Sequence, residues 1–468
     1  MSKPTDVRPV ACELYFLPVQ TRVPLKFGHE TLTSVICARA KMTIESRDGT
    51  KRAEGWGETP LSVQWVWPSD VPYQQRLDAL KDLCIQLARV WATFETTGHP
   101  IEIGDAFTRE ALSKAVGWAS PTSSEPRWAV PRLQIPHLAA LVCSSPFDIA
   151  LHDAFGNLHG LPTYKTYNAF FLSRDLASFY DDQSFAGKFP DEYLARDPKQ
   201  SLPAWHLVGG LDPLTADQLT GGEPNDGYPI LLSDWIARDG LDCLKIKLRG
   251  NDRAWDLRRL IDVGEIALAR GVQHLSADFN CTVSDSQYVC DVLDQLKADH
   301  PQTSERLIYV EQPFPYDLVS NQLDVRAVSS RKPLFLDESA HDWRMIKLGK
   351  CLGWTGVALK TCKTQTGAIL SHCWARGNGM QIMVQDLTNP MLAMIPHALL
   401  ASHADTIVGI ETNACQFYPE ASRQEAYVHT GLYTRRDGRI DLSSINGSGF
   451  GYRLNEIARK LPPPVAMA

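Results

Sequence analysis

The second half of the chain carries seven charged or amide side chains near the ends of short apolar runs. Lys245 and Lys247 lie in CLKIKLRG, Asp278 and Asn280 in HLSADFN, Glu311 in LIYVEQPFP, Asp337 in LFLDESA and Lys360 in GVALKTCK. In an extended CLKIKLRG, Lys245, Lys247 and Arg249 share one face, while Leu244, Ile246 and Leu248 share the other. Asp278, Glu311 and Asp337 close three consecutive runs. Drawn together in a low-dielectric site, three carboxylates cannot all stay ionised without a counter-ion. An oxygen-only donor set without His or Cys points to a hard cation, Mg²⁺ with Mn²⁺ as the alternative. The competing arrangement is a structural network in which each acid pairs with a lysine. Lys247 precedes the first acid and Lys360 follows the last, so the two would face each other across the metal. A metal and a second cation, Lys245, would lower a lysine's pKa towards working pH and make it a base. Lys363, the competing candidate for Lys360, is expected in the following loop.

These residues need a frame that repeats. Eight apolar runs occur, at AWHLVGG, CLKIKLRG, HLSADFN, LIYVEQPFP, LFLDESA, GVALKTCK, QIMVQD and TIVGIET. Their reference residues Lys247, Asp278, Glu311, Asp337, Lys360, Gln385 and Glu411 are 31, 33, 26, 23, 25 and 26 positions apart. That is the length of one strand and one crossover helix, and patterns such as RAWDLRRLIDVGEIALARG fill the gaps. Eight such units favour a closed α/β barrel over an open sheet, with the inward residues at the C-terminal strand ends forming the site. Before the barrel, LTSVICARAKMTIES and KRAEGWGETP flank the turn signal RDGT and predict a hairpin. Helices are expected over DVPYQQRLDALKDLCIQLARVWATF, DAFTREALSKAVGWA and HLAALVCSSPFDIALHDAFGNLHG. The stretch from Tyr164 to Leu202 has no clear period and reads as an insertion or long loop. The tail GLYTRRDGRIDLSSINGSGFGYRL returns to hairpin-like sequence. Its GSGFG follows no buried strand and opens no long helix, which argues against a dinucleotide loop.

Composition narrows the class. The chain has 468 residues, a net charge of −7 and 44% hydrophobic residues, as in an ordinary globular protein. The charge and the lack of a basic, aromatic-interleaved stretch argue against nucleic-acid binding. No run approaches a membrane span and no signal peptide is evident, so a cytoplasmic protein is expected. The 11 cysteines show no CxxC pair or zinc spacing and fit reduced, buried thiols.

The order KxK, DxN, EQP, DES and a lone Lys before a Gly-containing loop resembles the enolase superfamily. Within it, the match is to the muconate-cycloisomerase-like subgroup of the mandelate racemase/muconate lactonizing enzyme proteins, which has lysine bases on the second and sixth barrel strands. AEGWGETPL resembles the end of that family's capping hairpin, and INGSGFGYRL its C-terminal return. The resemblance implies a modified TIM barrel of the (β/α)7β type with an N-terminal α+β capping domain. Domain bounds of 1–135 for the cap, 136–415 for the barrel and 416–468 for a segment returning to the cap are expected. It further implies that Asp278, Glu311 and Asp337 bind Mg²⁺ and that Lys247 and Lys360 are the acid/base pair. Lys245 would contact a substrate carboxylate, and Asn280 would face the substrate or support the metal ligands. The implied chemistry removes a proton α to a carboxylate, the resulting enolate being stabilised by the metal and nearby cations. Return of a proton to the other face gives a racemase or epimerase; loss of a β-group, or its reversal, gives a lyase or a cycloisomerase.

The chain also departs from the family pattern. MVQDLTNP has no His, which argues against the mandelate-racemase-like and acid-sugar-dehydratase subgroups. Gln385 or Asp386 stands where the lysine subgroup often has Glu. GIETNACQFYPE lacks the DxD of dipeptide epimerases, and Glu411 either faces the site or pairs with a core lysine. The substrate loops of the cap correspond to LKFGHETL, with Phe27 and His29, and TPLSVQWVWP, with Trp65 and Trp67. Their aromatic character points to an apolar or ring-bearing group on a small carboxylic acid, unless they only pack on the barrel rim. His152, His341 and His397 are expected to be structural. Three outcomes stay open: an isomerase (racemase, epimerase or cycloisomerase), β-elimination by a dehydratase or an o-succinylbenzoate-synthase-like lyase, and a non-catalytic metal-binding barrel. A homo-oligomer is compatible with each.

Overall fold

The computed structural model describes residues 3–27, 30–118 and 134–468. Strands β1 (Val7–Phe27), β2 (Glu30–Ser46) and β3 (Arg52–Pro60) form an antiparallel sheet, with the hairpin turn at RDGT between β2 and β3. The chain's last residues join this sheet, Ala466 and Met467 pairing with Leu14 and Glu13 of β1. Helices Tyr73–Ala92 and His137–His159 cover one face of the sheet. The contact is close because β3 carries glycine where the second helix crosses it. A Cβ on Gly57 would stand 2.1 Å from the Pro146 carbonyl oxygen, closer than any side chain tolerates. The helix expected from DAFTREALSKAVGWA starts earlier, at Pro100, because His99 and Glu102 form a capping box. A single π turn, Thr108–Leu112, interrupts it before Ser113–Trp118.

The helix His137–His159 is the one described segment long and apolar enough to cross a membrane, a property the run-by-run reading of the sequence passed over. All of its apolar stretch is buried inside the protein, between the cap sheet and the barrel. Packing on both sides accounts for its lack of a polar face.

The barrel is built from β4 (Ser201–Val208), β5 (Cys243–Lys247), β6 (His274–Asp278), β7 (Leu307–Glu311), β8 (Leu334–Leu336), β9 (Gly356–Leu359), β10 (Gln381–Val384) and β11 (Ile410–Glu411). Neighbours run parallel in the order β10-β9-β8-β7-β6-β5-β4-β11. The sheet ends approach each other where the Ile407 amide donates to the Ile382 carbonyl at 2.9 Å. Crossover helices begin and end on ordinary local signals. Asp252, Asp285 and Asp342 cap the helices after β5, β6 and β8, and Gly271 and Gly353 end two of them at positive φ.

Alternation along the strands separates two cores. Leu244 and Ile246 of β5 face the helices in the large outer cluster. Cys243, with Trp205, Tyr309, Phe335 and Met383, forms the barrel floor. The Tyr309 and Phe335 rings stack at 4.5 Å, and Gly356 leaves the room that the Phe335 ring occupies. The next inward residues towards the mouth are the charged ones.

Residues 164–202, expected as a loop, form a chain of short helical turns that buries Tyr164, Tyr167, Leu172, Leu176, Tyr180 and Phe185. They pack on the barrel's outer layer, where the Tyr180 hydroxyl donates to the Leu370 carbonyl at 2.6 Å. The tail, expected to return to the cap, also meets the barrel. Arg439–Asp441 pairs antiparallel with β4, and the loop at Gly449 sits against Gly156 and Asp153 of the long helix.

Candidate active site

Inward positions two residues apart place Cys243, Lys245 and Lys247 in a column from floor to mouth. Parallel register sets Lys247 beside Asp278, and Asp278 beside Glu311. Asp337 follows β8 directly and Lys360 follows β9, so each side chain stands at a strand's C-terminal end. Asp278, Glu311, Asp337 and all three lysines are buried.

Ammonium groups lie between the acids. Lys245 Nζ is 2.7 Å from Glu311 Oε1, 3.0 Å from Asp278 Oδ2 and 3.2 Å from Glu411 Oε2. Lys247 Nζ contacts Asp278 Oδ2 at 2.5 Å. Across the barrel, Lys360 Nζ stands 3.3 Å from Asp337 Oδ2 and donates to the Asp386 carbonyl at 2.9 Å. Lys363, expected in a loop, is buried and bonds the Asp337 carbonyl, with Asp337 Oδ1 at 3.4 Å. A 3₁₀ turn over Thr361–Lys363 brings its ammonium back to the site. Glu411 faces the site through Lys245. Gln385 donates to Glu311 and, at 3.1 Å, to the Tyr309 hydroxyl. Asp386 accepts from the Asn413 backbone and side chain at 2.8 and 3.1 Å.

Burial and charge pull the titrations apart. Burial raises Glu311, as do the neighbouring carboxylates led by Asp278, and it stands well above the usual carboxylate range although Lys245 lowers it. Burial also opposes ionisation of Asp278, but Lys247 and Lys245 outweigh it and hold Asp278 low. Asp337 is likewise lowered, by Lys360 and Lys363 against its burial. Burial favours the neutral form of Lys360, yet the attraction of Asp337 holds its pKa above the ordinary lysine value. The sequence argument expected that lysine to be lowered; with its carboxylate partner directly against it, the opposite holds.

A cavity of about 40 Å³ at the centre is lined by Lys245, Lys247, Asp337, Lys360, Asp386 and Glu411, with Leu25, Leu32, Leu207 and Trp65 from cap and barrel. The Trp65 indole N–H donates to Glu338 Oε1 at 3.0 Å, and its ring lies 5.3 Å from Lys360 Nζ. Trp67 is not part of this wall. It is buried in the cap's hydrophobic cluster, and its carbonyl accepts from Arg76 at 2.5 Å. The side chain of Phe27 and all of His29 lie outside the described residues. Asn280, at φ 46°, does not line this cavity; it donates to the buried Glu338 Oε1 at 3.1 Å. His152 and His397 are held in structural bonds, to Thr366 and Tyr167 and to the Glu411 carbonyl respectively.

No protein-family model and no curated protein sequence matches the chain. Solved structures do. An N-succinyl Arg/Lys racemase from Bacillus cereus aligns over 98% of this chain and 99% of its own, with a TM-score of 0.62 and 15% identity. A 2-chloromuconate cycloisomerase from Rhodococcus opacus aligns over 97% and 100%, with a TM-score of 0.61 and 16% identity. The chain has the enolase-superfamily fold. A dipeptide epimerase from Enterococcus faecalis, solved with Mg and L-Leu-L-Tyr, shares that fold over 95% and 99% with a TM-score of 0.59 and 15% identity.

Within the enolase-superfamily fold of this chain, the fit of a divalent cation rests on its own donors. Among the described residues, no three metal-ligating side chains stand at the spacing of a formed metal site. Ammonium groups hold the acids instead. Asp278, Glu311, Asp337 and Glu411 make the carboxylate contacts of Lys245, Lys247, Lys360 and Lys363, whereas the Glu338 carboxyl accepts from Trp65 and Asn280 and that of Asp386 from Asn389 and Asn413. Burial, with the neighbouring acids, pushes both Glu338 and Asp386 up to about 7. Asp278, Glu311 and Asp337, three buried acids at neighbouring strand ends with oxygen donors only, have the chemistry that would suit a hard divalent cation.

Sequence reasoning named Lys363 but placed it in the following loop, and missed Glu338, Asn413 and Tyr309. Glu338 stood in the DES run itself, and the three-residue spacing of Lys360 and Lys363, one 3₁₀ turn, was the signal that both lysines could reach the site.

Proposed function

We propose that this protein is a Mg²⁺-dependent enzyme that abstracts the proton α to the carboxylate of a small organic acid and acts as a racemase, epimerase or cycloisomerase. One observation carries the proposal: two lysines, on β5 and β9, four places apart in a ring of eight strands, line one small cavity beside three buried acids.

Asp278, Glu311 and Asp337 would hold the metal, which supplies Lewis-acid stabilisation of negative charge on the substrate carboxylate. Lys245, fixed by Glu311 and Glu411, adds a permanent positive charge at the same place. Lys247 and Lys360 bracket the α-carbon from opposite sides. One, neutral, takes the α-proton as the C–H bond breaks and its electron pair passes into the carboxylate. The other, protonated, returns a proton to the opposite face. Lys247 and Lys360 are paired with Asp278 and Asp337; with those carboxylates serving as ligands, either lysine would lose its partner and could act as a base. Trp65 and the leucines exclude water from the cavity and keep the electrostatic terms strong.

Solvent deuterium exchange at the α-carbon tests this. With Mg²⁺ present, an acid library should contain compounds that exchange, and chelation should abolish the exchange. Lys247→Ala and Lys360→Ala should each stop exchange from one face only, with losses on the order of 10²–10⁴. Full racemisation by either variant sinks that lysine's assignment. Exchange accompanied by consumption of the acid identifies β-elimination instead, and no exchange across the library favours a binding barrel.

A further inference from the structure

Two stretches that play no part in the catalytic cavity, residues 164–202 and the glycine-rich GSGFG of the tail, meet at the other end of the barrel. With the helix Met394–Ala404 they enclose a cavity of about 300 Å³. It lies beside residues 198–200, at the N-terminal end of β4, and shares no lining residue with the catalytic cavity at the C-terminal strand ends. Main-chain bonds fix its walls. The Thr163 amide donates to the Gly449 carbonyl at 2.8 Å, and the Gly449 amide to the Leu161 carbonyl at 3.0 Å. The Lys199 amide donates to the Ser402 carbonyl at 3.2 Å. Gly449, at φ 63°, is confined to glycine, since a Cβ there would stand 2.2 Å from Asp153 Oδ1. Most of the lining is apolar, with Leu399, Leu442, Ile445 and Phe450 in it. The Tyr164 and His403 rings, each 8% exposed, stack at 3.9 Å and 10° in the same lining. Both are held from behind: Gln365 donates to the Tyr164 hydroxyl at 3.2 Å, and His403 Nδ1 bonds the Leu399 carbonyl at 2.8 Å.

The charged side chains of this lining have one sign. Lys165 and Lys199 are exposed in it, and no carboxylate among the described residues lines the cavity, in a chain whose net charge is −7. Lys165 makes no ion pair among the described residues. Lys199 has Asp405 at 3.4 Å, with both side chains at least half exposed, a pairing that contributes little. Burial holds His403 at about 4, so near pH 7 it is a neutral aromatic surface. We infer that this cavity binds an organic anion, a carboxylate carried on an apolar, ring-bearing body. The carboxylate takes charge-assisted hydrogen bonds from Lys165 and Lys199, and the ring packs against the Tyr164–His403 pair and the aliphatic wall. An apolar concavity with a few polar groups that set orientation is the form of a small-molecule site. A cationic ligand would meet two ammonium groups, and a neutral one would leave them without an acceptor. The site stands apart from the proposed proton abstraction and does not rest on it.

Three probes of one shape test the charge. 3-Phenylpropionate, 3-phenylpropan-1-ol and 3-phenylpropylamine share a ring and a spacer and differ in the end group. Calorimetric titration is made with EDTA present, which suppresses metal-dependent binding at the catalytic centre. The acid should bind saturably and on the order of tenfold or more tightly than the alcohol, the worth of one hydrogen bond to a charged group, and the amine should bind weakest. Lys165→Ala combined with Lys199→Ala should bring the acid down to the level of the alcohol. Both lysines are exposed, so the melting temperature of that variant should stay within a degree or two of the parent's. Leu399→Trp should fill the cavity and weaken acid and alcohol alike. Lys360→Ala, at the other end of the barrel, should leave the titration unchanged. Absence of saturable acid binding overturns the inference, as does an alcohol that binds as tightly as the acid. Acid binding that survives the double lysine variant and is lost in Lys360→Ala would place the acid in the catalytic cavity and also overturn it.

Discussion

Replacing Lys245 by methionine removes the cation that holds three buried carboxylates, while keeping the length of the chain and filling its space. The ammonium lies 2.7, 3.0 and 3.2 Å from oxygens of Glu311, Asp278 and Glu411. At an effective dielectric near 20, each contact is worth about 5 kcal/mol of Coulomb attraction, set against several kcal/mol to desolvate the ammonium. The acids will not remain charged and unpaired; they protonate, which limits the net loss to roughly 3–5 kcal/mol. With an unfolding entropy of about 2.1 cal/mol/K per residue, the 468 residues give about 1 kcal/mol/K, so the melting temperature should fall by about 3–5 °C without divalent metal. The deficit should be largest near neutrality and shrink at low pH, where the acids take up protons in both states. Mg²⁺ should restore more stability to the variant than it adds to the parent protein, since it replaces the missing charge. Scanning calorimetry of both proteins with EDTA and with millimolar Mg²⁺ provides the measurement. A variant as stable as the parent in EDTA would refute Lys245 as the counter-ion, and equal Mg²⁺ effects in both would refute the metal's placement among these acids.

Gly57→Ala puts a methyl group 2.1 Å from the Pro146 oxygen, so the long helix must retreat by more than 1 Å. Overpacking of this kind costs about 1–3 kcal/mol; turnover should also drop, because Ser145 of that helix bonds the Thr361 carbonyl next to Lys360. A fully stable, fully active variant would refute the coupling. Burial raises Asp153 to about 7 although Phe450, Trp56 and Asn157 all donate to it. The folded state then keeps a proton that the unfolded chain releases near pH 4, so its contribution to stability is present at low pH and is lost as pH rises towards and through 7. A difference of about three pKa units corresponds to about 4 kcal/mol, and Asp153→Asn should flatten the change in urea midpoint between pH 5 and 8. Trp65→Phe keeps the wall but removes the N–H donor to Glu338. It should raise KM several-fold with a smaller effect on kcat, and an unchanged KM would remove Trp65 from the binding wall.

Much of this protein is written in its local sequence. The 23- to 33-residue rhythm from Lys247 to Glu411 sets one strand and one helix per period, and period-two alternation in CLKIKLRG states which residues turn inward. Those two regularities are enough to bring Lys245, Lys247, Asp278, Glu311, Asp337 and Lys360 to one end of a barrel, since parallel strands joined by crossovers all point the same way. Distance and partnership are another matter. That Lys363 returns to Asp337, that Glu411 grips Lys245, and that Trp67 goes into the cap core while Trp65 closes the cavity depend on contacts between residues dozens to hundreds of positions apart. The aromatic turns of 164–202 have no period of their own because their order comes from the helices they pack against. The lysine pKa values mark the division most sharply: residue type and strand position led to the expectation of a lowered base, and only the packed arrangement shows Asp337 against Lys360, raising it. Chain periodicity determines which groups meet, because it acts residue by residue; charge state and pairing are decided by the closed barrel, because an electrostatic interaction at 3 Å exists only once the strands have been brought side by side.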